Sequence, residues 1–252
     1  MTCAYNDLDA VQQLFAAHGH ELAAIIVEPV AGNMGCILPK PGFLEGLRTL
    51  CDANDIVLIF DEVMTGFRLS KGGAQETLGI DADLITYGKV IGGGMPVGAF
   101  GGKKHIMEMV APLGNVYQAG TLSGNPVAMI AGYTTLNILN ENPSIYTELE
   151  EKTKYLKDGL QQVLSSSGVP FVINQFGSMI SVHFSAHEVT DFVTAAGANN
   201  EVFKQFFHAM LNRGIYLPPS PFESWFLNNA LTTADLDRTI AAASESIKEV
   251  TA

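Results

Sequence analysis

Two residues of this sequence stand where covalent and acid-base chemistry could be done. Asp61 closes the all-apolar run Ile56 to Phe60, and Lys89 follows Leu84 to Tyr87 and leads into Gly92-Gly93-Gly94. An acid at the end of a buried strand can hold magnesium for a nucleotidase, or it can pair with the protonated ring nitrogen of a bound heterocycle. The first chemistry needs a G-x-x-x-x-G-K-[ST] loop, and Gly88-Lys89 is followed by Val90 and lacks the upstream glycine. Taken singly, Asp61 reads as an acid capping the next turn and Lys89 as a strand-end lysine reaching solvent. Taken together, at the ends of neighbouring apolar runs, they suit a site. A lysine set between a strand and a glycine turn lies where backbone can approach a ligand closely. If desolvated, it has a lowered pKa and becomes an imine-forming nucleophile.

Other polar positions carry less. Gly120-Thr-Leu-Ser-Gly-Asn-Pro126 offers hydroxyls and exposed amides ahead of a helix, which suits either a phosphate or a plain N-cap. Glu28-Pro29 after an apolar run is ordinary loop chemistry. His183 and His187 are four apart, but His183 falls on an expected strand, so they are not a metal pair; a satisfied core or surface histidine accounts for each. His18 and His20 flank a helix stop, and Phe203, Phe206, Phe207 and Met210 are core packing.

These residues need a scaffold. Asp7 can cap a helix through Leu8, Val11, Leu14 and Phe15, and Pro41 opens another with Phe43, Leu44, Leu47, Leu50 and Cys51 on one face. Runs at Leu22 to Val27, Ile56 to Phe60, Leu84 to Tyr87 and Val97 to Phe100 read as strands, apolar on both faces and hence covered by helices on both sides. Strand, helix, strand at this spacing is a parallel crossover. Ligands of such sheets bind beyond the carboxyl ends of the strands, which is where Glu28, Asp61 and Lys89 fall. From Ser123 the pattern turns helical, over Ala128 to Asn140 and Ile145 to Leu164. Strands at Phe171 to Asn174, Met179 to Phe184 and Ile215 to Leu217 follow, with helices at Glu201 to Asn212 and Ala234 to Val250. The fold class expected is α/β, a mostly parallel sheet with flanking helices over 1–140, with a smaller α+β domain over 141–252.

Composition narrows the partners. Over 252 residues, 47% are hydrophobic and 16% charged, the balance of a chain that buries a large core. A formal charge of -12, with no basic run, argues against nucleic acid and anionic membranes. Cys3, Cys36 and Cys51 make an odd number without a C-x-x-C pair, which points to a reducing cytoplasm and no zinc site. No signal peptide and no membrane-length apolar stretch is visible.

Asp61-Glu-Val-Met-Thr-Gly-Phe-Arg68 and Tyr87-Gly-Lys-Val-Ile-Gly-Gly-Gly-Met-Pro-Val-Gly-Ala99 resemble the signature of the class III aminotransferases, a group of fold-type I pyridoxal-phosphate enzymes. Within that group, Glu28 to Met34, Gln118 to Pro126 and Pro218 to Phe226 are most similar to the aminomutase branch. The resemblance implies pyridoxal phosphate held covalently by Lys89, which also shuttles protons, with the pyridoxamine form appearing in the cycle. It implies Asp61 against the pyridine nitrogen and Val63 against the ring. Thr121 would reach the cofactor phosphate of a neighbouring subunit, hence a homodimer, and Asn33 and Glu223 would lie on the substrate side. The reaction implied carries an amino group from C2 to C1, turning glutamate 1-semialdehyde, a small-molecule substrate, into 5-aminolevulinate for tetrapyrroles. An ordinary class III aminotransferase acting between an ω-amine and a keto acid shares Lys89 and Asp61; a non-catalytic half awaiting a partner segment is the alternative of another class. Members of the group are considerably longer. The chain is therefore expected to be their C-terminal portion, inactive alone because a second phosphate loop, a stacking aromatic and a carboxylate-binding arginine precede it. Leu231 stands where many relatives carry histidine.

Overall fold

The apolar runs of the first half form one four-stranded sheet, in the order β1 (Ala24–Val27), β2 (Val57–Glu62), β3 (Leu84–Tyr87), β4 (Ala99–Gly102). β1, β2 and β3 are parallel, and β4 runs antiparallel to β3. The computed structural model describes residues 1–251. These divide into two units, the first made of 1–3, 7–29 and 40–143, the second of 4–6, 30–39 and the chain from Ser144 onward. The change comes after Pro143, and two short stretches of the first half belong to the second unit.

In the first unit, α1 (Leu8–His18) starts where expected, the Asp7 carboxylate accepting the Ala10 N–H at 2.9 Å. α2 (Phe43–Asn54) buries Phe43, Leu44, Leu47 and Cys51 of the apolar face read from the sequence, while Leu50 stays half-buried at its margin. Asp83, just before β3, ties these layers together. It accepts the Leu58 N–H at 2.7 Å and pairs with Arg48 at 2.9 Å and Lys103 at 2.5 Å. α3 (Gly73–Leu78), α4 (Lys104–Met107) and α5 (Pro126–Glu141) complete the unit. The first and second of these carry too few periodic residues to be legible in advance.

Two expectations fail here. The strands are not sealed on both faces: β2 alternates, with Leu58, Phe60 and Glu62 buried and Val57, Ile59 and Asp61 only half-buried. β1, an edge strand paired only with β2, leaves Ile26 63% exposed. The strand expected at Val97 to Phe100 lies two residues later, because Pro96 and Gly98 keep its start out of the ladder.

The second unit comprises α6 (Ser144–Ser165), β5 (Val172–Phe176), β6 (Met179–His183), α7 (Phe192–Ala196), α8 (Asn200–Asn212), β7 (Trp225–Phe226) and α9 (Thr233–Thr251). Its antiparallel sheet has the order β5-β6-β7. β6 is buried on both faces. Ile180 and Val182 enter a core with Leu156, Leu160, Leu164, Phe206, Met210 and Ile247. Met179, Ser181 and His183 alternate to the other face, where the 30–39 segment covers them. Ile215 to Leu217 is not a strand. Gly214 turns the chain at φ +78° and Pro218-Pro219 cannot donate to a ladder, so Trp225–Phe226 takes the place beside β6.

Candidate active site

The first unit positions Asp61 and Lys89 at one edge. Asp61 pairs in register with Thr86 across the parallel β2–β3 ladder, and Lys89 follows β3 by two residues. The Asp61 carboxylate is oriented through one oxygen. Oδ1 accepts the Val63 N–H at 3.0 Å and the Thr86 hydroxyl at 3.3 Å, while Oδ2 accepts nothing among the described residues. A carboxylate anchored on one side and open on the other suits a cationic N–H brought in by a ligand.

Lys89 begins a 3-10 turn, Lys89–Gly92, with φ +47°. A side chain in this left-handed region is strained by roughly 1–2 kcal/mol, and such strain concentrates at functional sites. Lys89 is exposed, so the desolvated amine expected from the sequence is not what these residues build. The turn carries the side chain off the sheet edge, into a cavity of about 610 Å³ that Arg68, Met95 and Pro96 also line. Val63 lies beside the turn: a Cβ on Gly88 would stand 3.0 Å from its Cγ1. α5 packs directly on the turn, since Gly93 faces the Ala131 carbonyl and Gly132 faces that of Ile91, both too closely for any side chain. Thr121 is exposed in the turn before α5, whose N-cap Asn125 accepts the N–H groups of Val127 and Ala128.

Asn33 and Glu223 belong to the second unit, and there the structure brings their loops together. Ala31 and Ile37 exchange backbone hydrogen bonds at 3.0 and 3.1 Å, closing the turn that carries Asn33. The Gly35 N–H donates to the Phe222 carbonyl at 2.8 Å, and the Ser224 hydroxyl donates to the Gly32 carbonyl at 3.3 Å. The neighbours of Asn33 thus bond the neighbours of Glu223, and both side chains are exposed.

Three residues stood outside the sequence-based site. Glu62 is fully buried and accepts from Ala74 N–H at 2.6 Å, Gln75 N–H at 2.9 Å and the Thr65 hydroxyl at 3.0 Å. Burial pushes its carboxyl above the usual range, and these donors oppose the shift. Its signal was strand alternation, which puts it on the face of Leu58 and Phe60. Arg68 shares the cavity of Lys89; burial lowers its pKa, and its Nε donates to the Met64 carbonyl at 3.1 Å. His183 is 2% exposed with neither ring nitrogen hydrogen-bonded, so it is a core histidine but not a satisfied one. No cluster of three or more potential metal ligands exists among the described residues, and no described helix is long and apolar enough to cross a membrane.

Comparison with known proteins bears on this arrangement. The glutamate-1-semialdehyde 2,1-aminomutase of Flavobacterium johnsoniae is 62% identical over 238 residues, 94% of this chain and 56% of that protein. The chain spans little more than half the length of the curated relatives it matches. An omega-transaminase from Sphaerobacter thermophilus superimposes with a TM-score of 0.90 at 30% identity, over 98% of this chain and 57% of that one. A substituted glutamate-1-semialdehyde-aminomutase from Pseudomonas aeruginosa PAO1, in complex with PMP, gives 0.86 at 25% identity, over 98% and 56%. The model of the family "Aminotransferase class-III" matches residues 3–250, the lysine turn, the acid-ended strand and the Asn33–Glu223 loops among them: the chain belongs to the class III aminotransferases.

Proposed function

We propose that this chain carries the cofactor lysine and the substrate-side loops of a glutamate-1-semialdehyde 2,1-aminomutase. The observation that carries the reading is a strained, cavity-facing Lys89 and a half-liganded Asp61 at the same edge of one mostly parallel sheet. The residues fit pyridoxal phosphate: an amine opening on a cavity, a carboxylate with one oxygen unclaimed, and Val63 beside the glycine turn. When bound, that cofactor supplies an electron sink for a carbanion at the substrate carbon. Lys89 would hold it covalently through Nζ and, once released, would carry a proton to and from the substrate carbon as a general base. Asp61 Oδ2 would keep a proton on the pyridine nitrogen, and Val63 would pack against the ring. Thr121 serves the phosphate of a second copy. The apolar side chains that α5 leaves in solvent, Val127, Ile130 and Tyr133, support pairing of two copies. Asn33 and Glu223 present polar groups to the amino aldehyde. Three free cysteines suit the cytoplasm.

The test is borohydride reduction in the presence of pyridoxal phosphate followed by peptide mapping. Label is expected on Lys89; label chiefly on Lys71, Lys103 or Lys104 overturns the assignment. An intermolecular ω-transaminase is a second reading, favoured by the 0.90 superposition. Conversion of glutamate 1-semialdehyde to 5-aminolevulinate without added amine donor or keto acid separates the two.

A further inference from the structure

One buried polar group has no part in the cofactor site. His183 sits on β6, on the face shared with Ser181, and neither ring nitrogen has a partner. Burying an unpaired imidazole is unfavourable, and an apolar residue would be the more stable occupant. Directly against it lies Gly35, at φ +89°. A Cβ there would stand 2.5 Å from His183 Cε1 and 2.7 Å from Nε2, so the ring edge occupies the space a side chain would need. Next in sequence, the Cys36 N–H donates to the Ser181 hydroxyl at 2.8 Å. Two consecutive residues of the turn are therefore registered on two alternate side chains of one strand. On its other side the same turn is bonded at Gly35 and Gly32 to Phe222 and Ser224.

We propose that His183 is a positioning residue for the substrate: its imidazole under Gly35 fixes the turn that holds Asn33 alongside Glu223. The inference rests on the reading that these two residues face the substrate. Imidazole is the smallest of the aromatic rings. A six-membered ring at this place extends further toward Gly35 and must lift the turn; an alanine leaves the turn without its support. A residue kept for packing alone would be improved by an apolar ring, whereas a residue kept for position would not.

The experiment uses the assembled, cofactor-loaded enzyme with His183→Phe, Gly35→Ala, Asn33→Ala and the double variant Gly35→Ala/His183→Ala. His183→Phe removes the unpaired nitrogens but overfills the site, and the two effects roughly offset, so it is expected to melt within a few degrees of the parent. The amides of Gly35 and Cys36 should nonetheless exchange hydrogen faster, and KM for glutamate 1-semialdehyde should rise about 10-fold with kcat changed far less. Asn33→Ala should raise KM similarly, and adding it to His183→Phe should raise it little more. Removing the ring in the double variant should restore part of what Gly35→Ala loses, because the collision partner is gone. Parental KM and amide exchange in His183→Phe, with KM raised in Asn33→Ala, overturns the positioning role alone. Parental KM in Asn33→Ala overturns the substrate-side reading on which it rests. If Gly35→Ala does not fold, His183→Phe decides by exchange and KM.

Discussion

The second unit buries its central strand on both faces and the first does not. β6 is buried along its whole length, and Leu160, Leu164, Ile180, Phe206, Met210 and Ile247 are all almost inaccessible. In the first unit α5 is apolar nearly all round yet leaves Ile130 59% and Tyr133 63% exposed, and β1 turns Ile26 outward. The polar residues divide in the same way. Lys89 and Thr121 stand exposed in the first unit, whereas the second holds its polar loops on buried anchors, Ser181, Ser224 and His183. A helix with so broad an apolar surface is unusual in solvent, and the contrast lies in how each unit places its site residues, on an open sheet edge in the first and on buried anchors in the second.

Substitutions can break this contrast, beginning with the largest effect. In the complete enzyme, Lys89→Ala should lower turnover by about 10³-fold or more, and in this chain it should leave far-UV circular dichroism and melting unchanged, since the side chain is exposed. A drop in melting temperature as large as that of a core substitution would contradict this description. Phe206→Ala, in the closed core, should cost about 3–5 kcal/mol by denaturant titration; less than 1 kcal/mol would mean that core is looser than it looks. In the complete enzyme, Asp61→Asn should reduce turnover on the order of 10²-fold with the fold intact, and near-normal turnover would make Asp61 merely structural.

The fourth is a pH dependence with opposite signs in the two units. Burial pushes the His183 imidazole down from 6.5 to about 4. The unfolded chain then binds the extra proton, so the stabilisation is complete above pH 6.5 and is lost as pH falls toward 4, about 3 kcal/mol in all. Glu62 is shifted upward by burial, so its share runs the other way, present below the ordinary carboxylate range and lost as pH rises through the folded value. Unfolding curves of His183→Phe should lose the acid slope between 6.5 and 4; a retained slope would assign it to other groups. Smallest of all, Ile130→Ser should change the stability of an isolated chain by no more than about 0.5 kcal/mol, and sedimentation should show a weakening of the pairing of two copies proposed above.

The apolar runs and helix periodicity were enough to locate β2, β3, β6 and the long helices within a residue or two, because those elements are fixed by local pattern. Motif residues Asp61 and Lys89 were legible for the same reason: each is punctuation at the end of a strand. What escaped was set by distant parts. The short α3 and α7 exist because of caps, the Glu62 carboxylate on Ala74 and Gln75 and the Asp191–Thr194 capping box, and carry no period of their own. The exposure of Lys89 depends on a left-handed turn that no strand pattern announces. Ile215 to Leu217 had the composition of a strand, but the place at β6 went to Trp225–Phe226. His183 read as an ordinary core residue, and only the packed Gly35 reveals its orphaned nitrogens.

The turn bearing Asn33 has a consequence for how the chain is made. The Ser224 hydroxyl that closes on Gly32 lies 192 residues further along, and Thr190, whose carbonyl accepts from Asn6, lies 184 residues away. At synthesis rates of roughly 5–20 residues per second, the early segments wait on the order of 10–40 s for these partners to leave the ribosome. For that interval Ala31 and Ile37 must stay in solvent, and contacts so distant in sequence close slowly even afterwards. A stop codon or ribosomal stall before Ser224 would release a chain whose Asn33 turn lacks the hydroxyl that closes on Gly32.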